Sequence, residues 1–332
     1  MTRGAKITLV VFVILFVIAA LGVGSWFIFK NERAIASDSY LNQGDNYLVQ
    51  GDYAQALLAY KKAALLTPRS FAPYYRQGIL ARTTGHYSEA IDFFKRSINF
   101  GPNETGAYLT LGETQLLNND VINAKSVFEQ AKRLIPASDE IDFFLLKTSL
   151  KENNLDAAEK YLGEAKKNNP LPKYIIYSAL LESLNDPSKS LDSIAEINSC
   201  ADIGGLTLSD FSNLFQKLVS TENTTSREIM IYHTFNQIGE LDFGVSGLEK
   251  LTQENPQIRD AWVFLGYGYL MKNEPEYAKT ALDKAANIDP VFPATYYLLS
   301  KYYEATKDTN QAQKAYEKAK ELGFDENNPL KS

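Results

Sequence analysis

Residues that do chemistry are scarce in this sequence: 332 positions hold one cysteine, two histidines and three methionines. With Cys200 alone, no intrachain disulfide and no thiolate cluster can form, and the expected role of that thiol is a small, half-buried apolar side chain. His86 and His233 stand far apart, without a cysteine or a carboxylate pair at ligand spacing, so no metal and no cofactor are expected. There is no phosphate-cradling Gly-rich loop, no zinc-protease histidine pair and no nucleophile elbow, and a Cys-His dyad would have to be built from Cys200 and a distant histidine. The reading is therefore not an enzyme, with no small-molecule substrate. Basic charge is not in excess either: 34 Lys and Arg against 40 Asp and Glu give a net charge of -6. No Lys/Arg stripe offsets this, so no nucleic-acid partner is expected. Twelve prolines and nineteen glycines are few enough to allow long helices if they sit at joints.

Charge is missing altogether from Ile7 to Phe29, where most positions are Val, Ile, Leu, Phe or Ala. As a helix this run would reach roughly 34 Å at about 1.5 Å per residue, enough to cross a hydrocarbon core of about 30 Å. Trp26 falls near one end, where an indole suits the headgroup region. The expected layout is a tail at 1–6, a transmembrane helix acting as signal anchor at 7–29, with the lipid bilayer as its partner, and a linker at 30–36. Ala34-Ile35-Ala36 keeps a cleaved signal peptide open as the alternative. Against it, the apolar run exceeds an ordinary signal core, and Lys30, Glu32 and Arg33 intervene. Arg3 and Lys6 before the run match Lys30 and Arg33 after it, so only the terminal amine tips the positive-inside rule. It favours an inward N-terminus and an extracytoplasmic location, periplasmic or cell-surface, for the rest of this single-pass chain; a cytosol-facing arrangement is the alternative.

Beyond Ser37 the sequence repeats. Pro68, Pro102, Pro136 and Pro170 lie 34 residues apart, as do Gly44, Gly78 and Gly112, and Ala56, Ala90, Ala124 and Ala158. Tyr60, Phe94 and Phe128 keep the same step. Pro256 and Pro290 resume it, together with Gly266, Ala278, Leu282, Ala312 and Tyr316, after an interval of 86 residues from Pro170, two periods plus 18. Such a period implies helical hairpins: small residues where two helices cross, aromatics filling holes between successive hairpins, and proline ending the second helix. Turn signals sit between the two helices at Gly51-Asp52, Thr84-Gly85, Asn119-Asp120, Asn153-Asn154 and Gly239-Glu240. No hairpin buries its apolar face alone, so stacking must supply a continuous core.

The 34-residue pattern resembles the tetratricopeptide repeat family. Tyr40, Gly44, Tyr47, Ala56, Tyr60, Ala63 and Pro68 carry it in the first unit, Tyr74, Gly78, Ala90, Phe94 and Pro102 in the second, and Tyr108, Leu111, Gly112, Ala124, Phe128, Ala131 and Pro136 in the third. Trp262, Leu265, Gly266, Tyr269, Ala278, Ala285 and Pro290 carry it downstream. The resemblance implies an all-α fold: a right-handed superhelical solenoid of stacked helix-turn-helix hairpins preceded by one N-terminal transmembrane helix. Four repeats are expected at 37–172 and three at 225–326, the first of these degenerate, with a tail at 327–332. Between them, 173–224 departs from the pattern. Tyr174 to Leu184 and Ser188 to Ile197 read as helices, and Ser209 as the cap of a further helix carrying Phe211, Leu214, Phe215 and Leu218. That segment reads either as a decayed repeat plus spacer helix or, more sharply, as a hinge between two superhelical blocks.

In this family the first helix of each hairpin lines the concave face. The resemblance therefore implies a groove formed by Leu41, Asp45, Tyr75, Ile79, Arg82, Leu109, Glu113, Phe143 and Lys147, continued downstream by Val263, Tyr267, Tyr297 and Lys301. Some family members clamp a peptide carboxylate with Lys, Asn and Arg from neighbouring first helices; here Leu41, Asp45, Ile79, Gly106 and Thr110 stand at those places, so that clamp is missing. The partner implied is a protein or peptide with hydrophobic anchors. The function implied is a membrane-anchored scaffold or chaperone-like adaptor, with a cytosol-facing receptor or tether, or the regulatory subunit of an enzyme complex, as alternatives.

Overall fold

The computed structural model describes residues 3–195, 197 and 203–325. Cys200 and the tail at 327–332 lie outside them. The described residues are helical apart from turns and one isolated bridge between Ile203 and Leu206, and the chain divides into two compact units, Met1–Pro136 and Ala137–Ser332.

The first unit holds α1 (Arg3–Val49), α2 (Tyr53–Leu66), α3 (Phe71–Thr83), α4 (Tyr87–Phe100), α5 (Thr105–Leu117) and α6 (Val121–Leu134). They pair as antiparallel hairpins α1/α2, α3/α4 and α5/α6. The segment expected as a linker, 30–36, is instead continuous helix within α1. Its physical reason is plain: no glycine or proline stands between Gly24 and Gly44 to stop the helix. The apolar run at 7–29 lies inside the same helix. Among the described residues no helix is long and apolar enough to cross a membrane. Within the run, the described side chains at 15–18, 21–23, 25 and 29 are all exposed, and the remaining ones lie outside the description.

The second unit holds α7 (Asp139–Lys151), α8 (Leu155–Asn168), α9 (Pro172–Asn185), α10 (Ser188–Ala195), α11 (Leu208–Ser220), α12 (Thr224–Gln237), α13 (Leu241–Glu254), α14 (Arg259–Met271), α15 (Pro275–Ile288), α16 (Pro293–Ala305) and α17 (Thr309–Glu321). Hairpins form from α7/α8, α9/α10, α12/α13, α14/α15 and α16/α17, and α11 stands outside this pairing. Its cap is Thr207, not Ser209. The Thr207 hydroxyl accepts from the Asp210 N–H while the Asp210 carboxylate takes the Thr207 N–H at 2.8 Å, a reciprocal box that only a residue three before the acid can close.

Each repeat feature has a cause. A Cβ on Gly78 would lie 2.6 Å from the Phe94 ring, and one on Gly266 would lie 2.7 Å from Leu282. The large residue of the second helix thus fills the notch made by the glycine of the first. Tyr60, Phe94 and Phe128 therefore pack within their own hairpins, on Gly44, Gly78 and Gly112, and Tyr60 also joins Leu80 of the next hairpin in one core, as expected of an aromatic between hairpins. Second helices end two residues before proline, at Leu66, Phe100, Leu134, Asn168, Glu254 and Ile288, because proline restricts the residue ahead of it. The freed proline carbonyl then acquires a partner: Tyr74, Tyr108 and Tyr296 hydroxyls donate to Pro68, Pro102 and Pro290 oxygens at 2.8–3.0 Å, and the Trp262 indole to Pro256 at 2.9 Å. Turns within hairpins place one residue in the left-handed region at 51, 85, 119, 153, 239, 273 and 307. Glycine or asparagine fills six of these places and Lys307 the seventh.

Candidate partner-binding faces

In the first unit the expected groove residues come from α1, α3 and α5. Leu41 is buried, in the core with Tyr60, Ala63 and Leu80. Asp45 accepts hydrogen bonds from the Tyr60 hydroxyl at 2.8 Å and the Arg76 guanidinium at 2.9 Å. Burial first, and the Asp45 carboxylate second, push the Tyr60 hydroxyl well above its ordinary pKa. Arg82 binds Glu113 at 2.8 Å, and the Tyr75 hydroxyl lies 3.2 Å from that of Thr110. Ile79 and Leu109 are half-buried beside them. The charges on this face are thus matched from one first helix to the next, leaving the half-buried Tyr75, Ile79 and Leu109 as its apolar element.

In the second unit Phe143 meets Tyr177 edge-on, ring centroids 5.3 Å apart, and Lys147 lies 5.8 Å above the Phe143 ring. Lys147 also reaches Glu240 at 3.1 Å. Glu240 is only 4% exposed and accepts the Tyr177 hydroxyl at 2.7 Å. Burial, reinforced by Glu240, drives the Tyr177 pKa far up, so the phenol stays a donor. Two residues on, Asp242 is paired with Lys151 and with Lys272, the latter at 3.1 Å; despite burial these contacts hold its carboxyl below the usual range. Val263, like Leu41, is core. Tyr297 stacks on Phe324 at 4.4 Å, with Lys301 5.5 Å above its ring and tied to Glu304 at 2.9 Å.

Sequence reasoning missed His233. Its repeat is degenerate, yet it stands 34 residues before Tyr267 and 68 before Lys301, in the register of the groove positions. That arithmetic was the signal available. The imidazole stacks on Phe264 at 4.1 Å and meets Tyr267 edge-on at 5.1 Å, and its Nδ1 has no hydrogen-bond partner. Burial pushes its pKa down to about 3, so the ring is neutral at ordinary pH. Among the described residues no group of three or more His, Cys, Asp or Glu is placed to hold a metal ion.

A tetratricopeptide repeat family model matches residues 41–105, and a second model of the same description matches residues 293–322. These segments are similar to tetratricopeptide repeats. The matched repeats include α3/α4, with the Gly78–Phe94 contact described above, and α16/α17, with the Tyr296–Pro290 hydrogen bond. No curated protein matches the sequence. Among solved structures, a tetratricopeptide repeat protein from Parabacteroides merdae is similar at 12% identity, over 89% of this chain and 96% of that one, with a TM-score of 0.42. PilF of Pseudomonas aeruginosa is similar at 17% identity over 70% and 98%, TM-score 0.45. YrrB, described as having an unusual peptide-binding site, is similar at 19% identity over 75% and 98%, TM-score 0.32.

Proposed function

We propose that this chain is a membrane-anchored scaffold that binds a partner polypeptide through its repeats, the anchor being the apolar run at 7–29 and the repeats lying outside the cytoplasm. The observation that carries the binding role is the first-helix face, where the charges are matched internally and half-buried aromatic and aliphatic side chains remain. Asp45 is occupied by Arg76, and Arg82 by Glu113. A partner meeting Tyr75, Ile79 and Leu109 therefore gains by covering apolar surface rather than by neutralising charge. The chain supplies contact and position, and no catalytic step is assigned to it. The anchor rests on the uncharged length of the run, and the orientation on the flanking Lys and Arg count.

Two measurements test the reading. A photo-crosslinking residue placed at Ile79 or Tyr267 should couple to a polypeptide in cells far better than one at Leu65, which is 77% exposed on a second helix; equal yields from all three positions would refute the face. A C-terminal tag should resist protease added to inside-out vesicles and be digested when protease reaches the outer side of spheroplasts. The opposite pattern turns the protein into a cytosol-facing receptor or tether, and a product shorter by about 36 residues identifies a cleaved signal peptide.

A further inference from the structure

The first hairpin is unlike the others at the end nearest the apolar run. Ser37 Oγ donates to the Ala63 carbonyl at 3.3 Å and lies 2.8 Å from the Thr67 hydroxyl, so the last turn of α2 stands level with Ser37 on α1. Lys30 and Arg33 precede Ser37 by seven and four residues on the same uninterrupted helix, a spacing that sets both on the side of α1 facing α2. Glu32 and Ile35 fall on the opposite side, and Asp38 about a quarter-turn away. Residues 30–35 are all exposed. On the outer face of α2, turned away from α1, stand Lys61 and Leu65, the latter 77% exposed, and Arg69 follows in the loop.

Charge and register both set this corner apart. α2 carries Lys61 and Lys62 and no acid, while α4, α6 and α8 each carry acids. The loop after α2, Thr67 to Ser70, holds Arg69; the corresponding loop one repeat on, Gly101 to Glu104, holds an acid and no base. Neither Lys61 nor Arg69 pairs with a carboxylate among the described residues. Whole periods beyond Leu65 the chain places Asn99, Arg133 and Lys167, and downstream Asn287 and Glu321, so an exposed leucine there belongs to the first hairpin. A second copy of the chain would set these bases against themselves, whereas an anionic surface neutralises them and covers the leucine.

Distances allow that surface to be the bilayer. Eight residues separate Phe29 from Ser37, so with α1 upright the end of α2 stands roughly 12 Å beyond the hydrocarbon core, clear of a headgroup layer of about 5–8 Å. A run of about 34 Å fits a core of about 30 Å when the helix leans by about 30°, within the usual range. Leu65 lies about 10 Å to the side of the α1 axis, so a lean toward α2 brings it to roughly 5 Å, inside the headgroups. We propose that this end of the first hairpin rests on anionic phospholipid headgroups of the bilayer that holds residues 7–29. Lys30, Arg33, Lys61 and Arg69 meet the phosphates, Leu65 reaches the acyl boundary, and α1 leans toward α2. The proposal rests on the anchor reading given above and applies to whichever leaflet the repeats face.

Spin labels at two exposed positions decide it. In the full chain carrying Cys200→Ser, a nitroxide is attached at Ile35→Cys or at Leu65→Cys. The protein is reconstituted into phosphatidylcholine vesicles that contain phosphatidylglycerol and a trace of lipid with a gadolinium chelate on its headgroup. Upright, Ile35 is the nearer: six residues past Phe29, it stands about 9 Å beyond the core against about 12 Å for Leu65. A lean toward α2 lowers Leu65 and raises Ile35, so the gadolinium should relax the Leu65 label at least about twofold faster. That advantage should disappear in pure phosphatidylcholine and shrink with Lys61→Gln and Arg69→Gln, which leave the flanks of the run untouched. Faster relaxation at Ile35 in the anionic vesicles, or a Leu65 advantage that persists unchanged in pure phosphatidylcholine, refutes the seat. Spin–spin broadening between Leu65 labels would give the face to a second copy instead. A chain that washes off the vesicles at high pH has no anchor, and both readings fall; one that stays, with Ile35 the nearer, overturns the seat alone.

Discussion

Replacing Gly78 by alanine tests the packing logic of the repeats most directly, because two effects of known size oppose each other there. In the interior of a helix, Gly→Ala ordinarily stabilises by about 1 kcal/mol, since glycine loses more backbone freedom on folding. At Gly78 the added Cβ would sit 2.6 Å from Phe94 Cε1, 2.7 Å from Cδ1 and 2.9 Å from Cζ. Carbon contacts relax at about 3.5–4.0 Å, so the ring must retreat by roughly 1 Å. Phe94 is fully buried and lies against Tyr75, centroids 5.7 Å apart, so it has nowhere to go. Overpacking of this kind costs about 1–3 kcal/mol, so after the propensity gain of about 1 kcal/mol a net loss of up to about 2 kcal/mol is expected. Gly163 supplies the opposite case: it lies exposed in α8, and a Cβ there meets nothing within 4 Å. Gly163→Ala should stabilise by up to about 1 kcal/mol. Repeat arrays open in parts, so the assay should be native-state hydrogen exchange of amides in α3 and α8 rather than one melting curve. Shortening the obstacle with Phe94→Leu should recover part of the loss in the double variant. If Gly78→Ala raises protection as Gly163→Ala does, the notch-and-knob account of the hairpin is wrong.

Lys307 holds a left-handed φ of +64° where its counterparts are glycine or asparagine, so Lys307→Gly should stabilise the last hairpin by about 1 kcal/mol, read as slower exchange in α16 and α17. Glu240→Ala would leave the buried Tyr177 hydroxyl without its acceptor and Lys147 without its partner, costing about 2–3 kcal/mol in urea denaturation, whereas Glu240→Gln, which keeps an acceptor for Tyr177, should cost less. His233 has its pKa lowered to about 3 by burial, so below pH 6.5 the unfolded chain takes up a proton that the native state refuses. Its contribution is complete above pH 6.5 and falls by at most about 1.4 kcal/mol per pH unit toward pH 3; His233→Phe should flatten that decline, and an unchanged slope would show that the ring is not enclosed.

Much of this architecture is legible from spacing alone. A constant step of 34 residues in proline, glycine, alanine and aromatics fixes hairpin length, and the hairpin turns then fall where Gly51, Gly85, Asn119 and Asn153 stand. What the spacing could not reveal lies in side-chain direction. Proline reads as a helix stop, but its carbonyl is also the acceptor for an aromatic donor six residues on, as in Tyr74 to Pro68. Periodicity likewise assigns Leu41 and Val263 to the first-helix face without telling that both turn inward to the core. His233 escaped notice for the opposite reason, since its repeat has lost the residues that identify the register while keeping the register itself.

The irregular segment at 173–224 shows how a repeat protein absorbs an insertion, and its physics argues against a hinge. A hinge needs a place where few apolar contacts cross, so that opening costs little. Here the reverse holds. One buried cluster runs from Leu146 on α7, through Tyr174, Tyr177 and Leu181 on α9 and Phe211, Phe215 and Leu218 on α11, to Phe235 and Phe243. Tyr177 touches Phe235 directly, ring centroids 6.2 Å apart, so α9 stacks on α12 across the insertion. Adding to that contact, Glu240 at the turn between α12 and α13 draws in Tyr177 from α9 and Lys147 from α7. The extra helix therefore leaves the stacking of first helices continuous and adds its own three buried side chains to their core. A spacer that deepens the core can persist in a solenoid without loosening it.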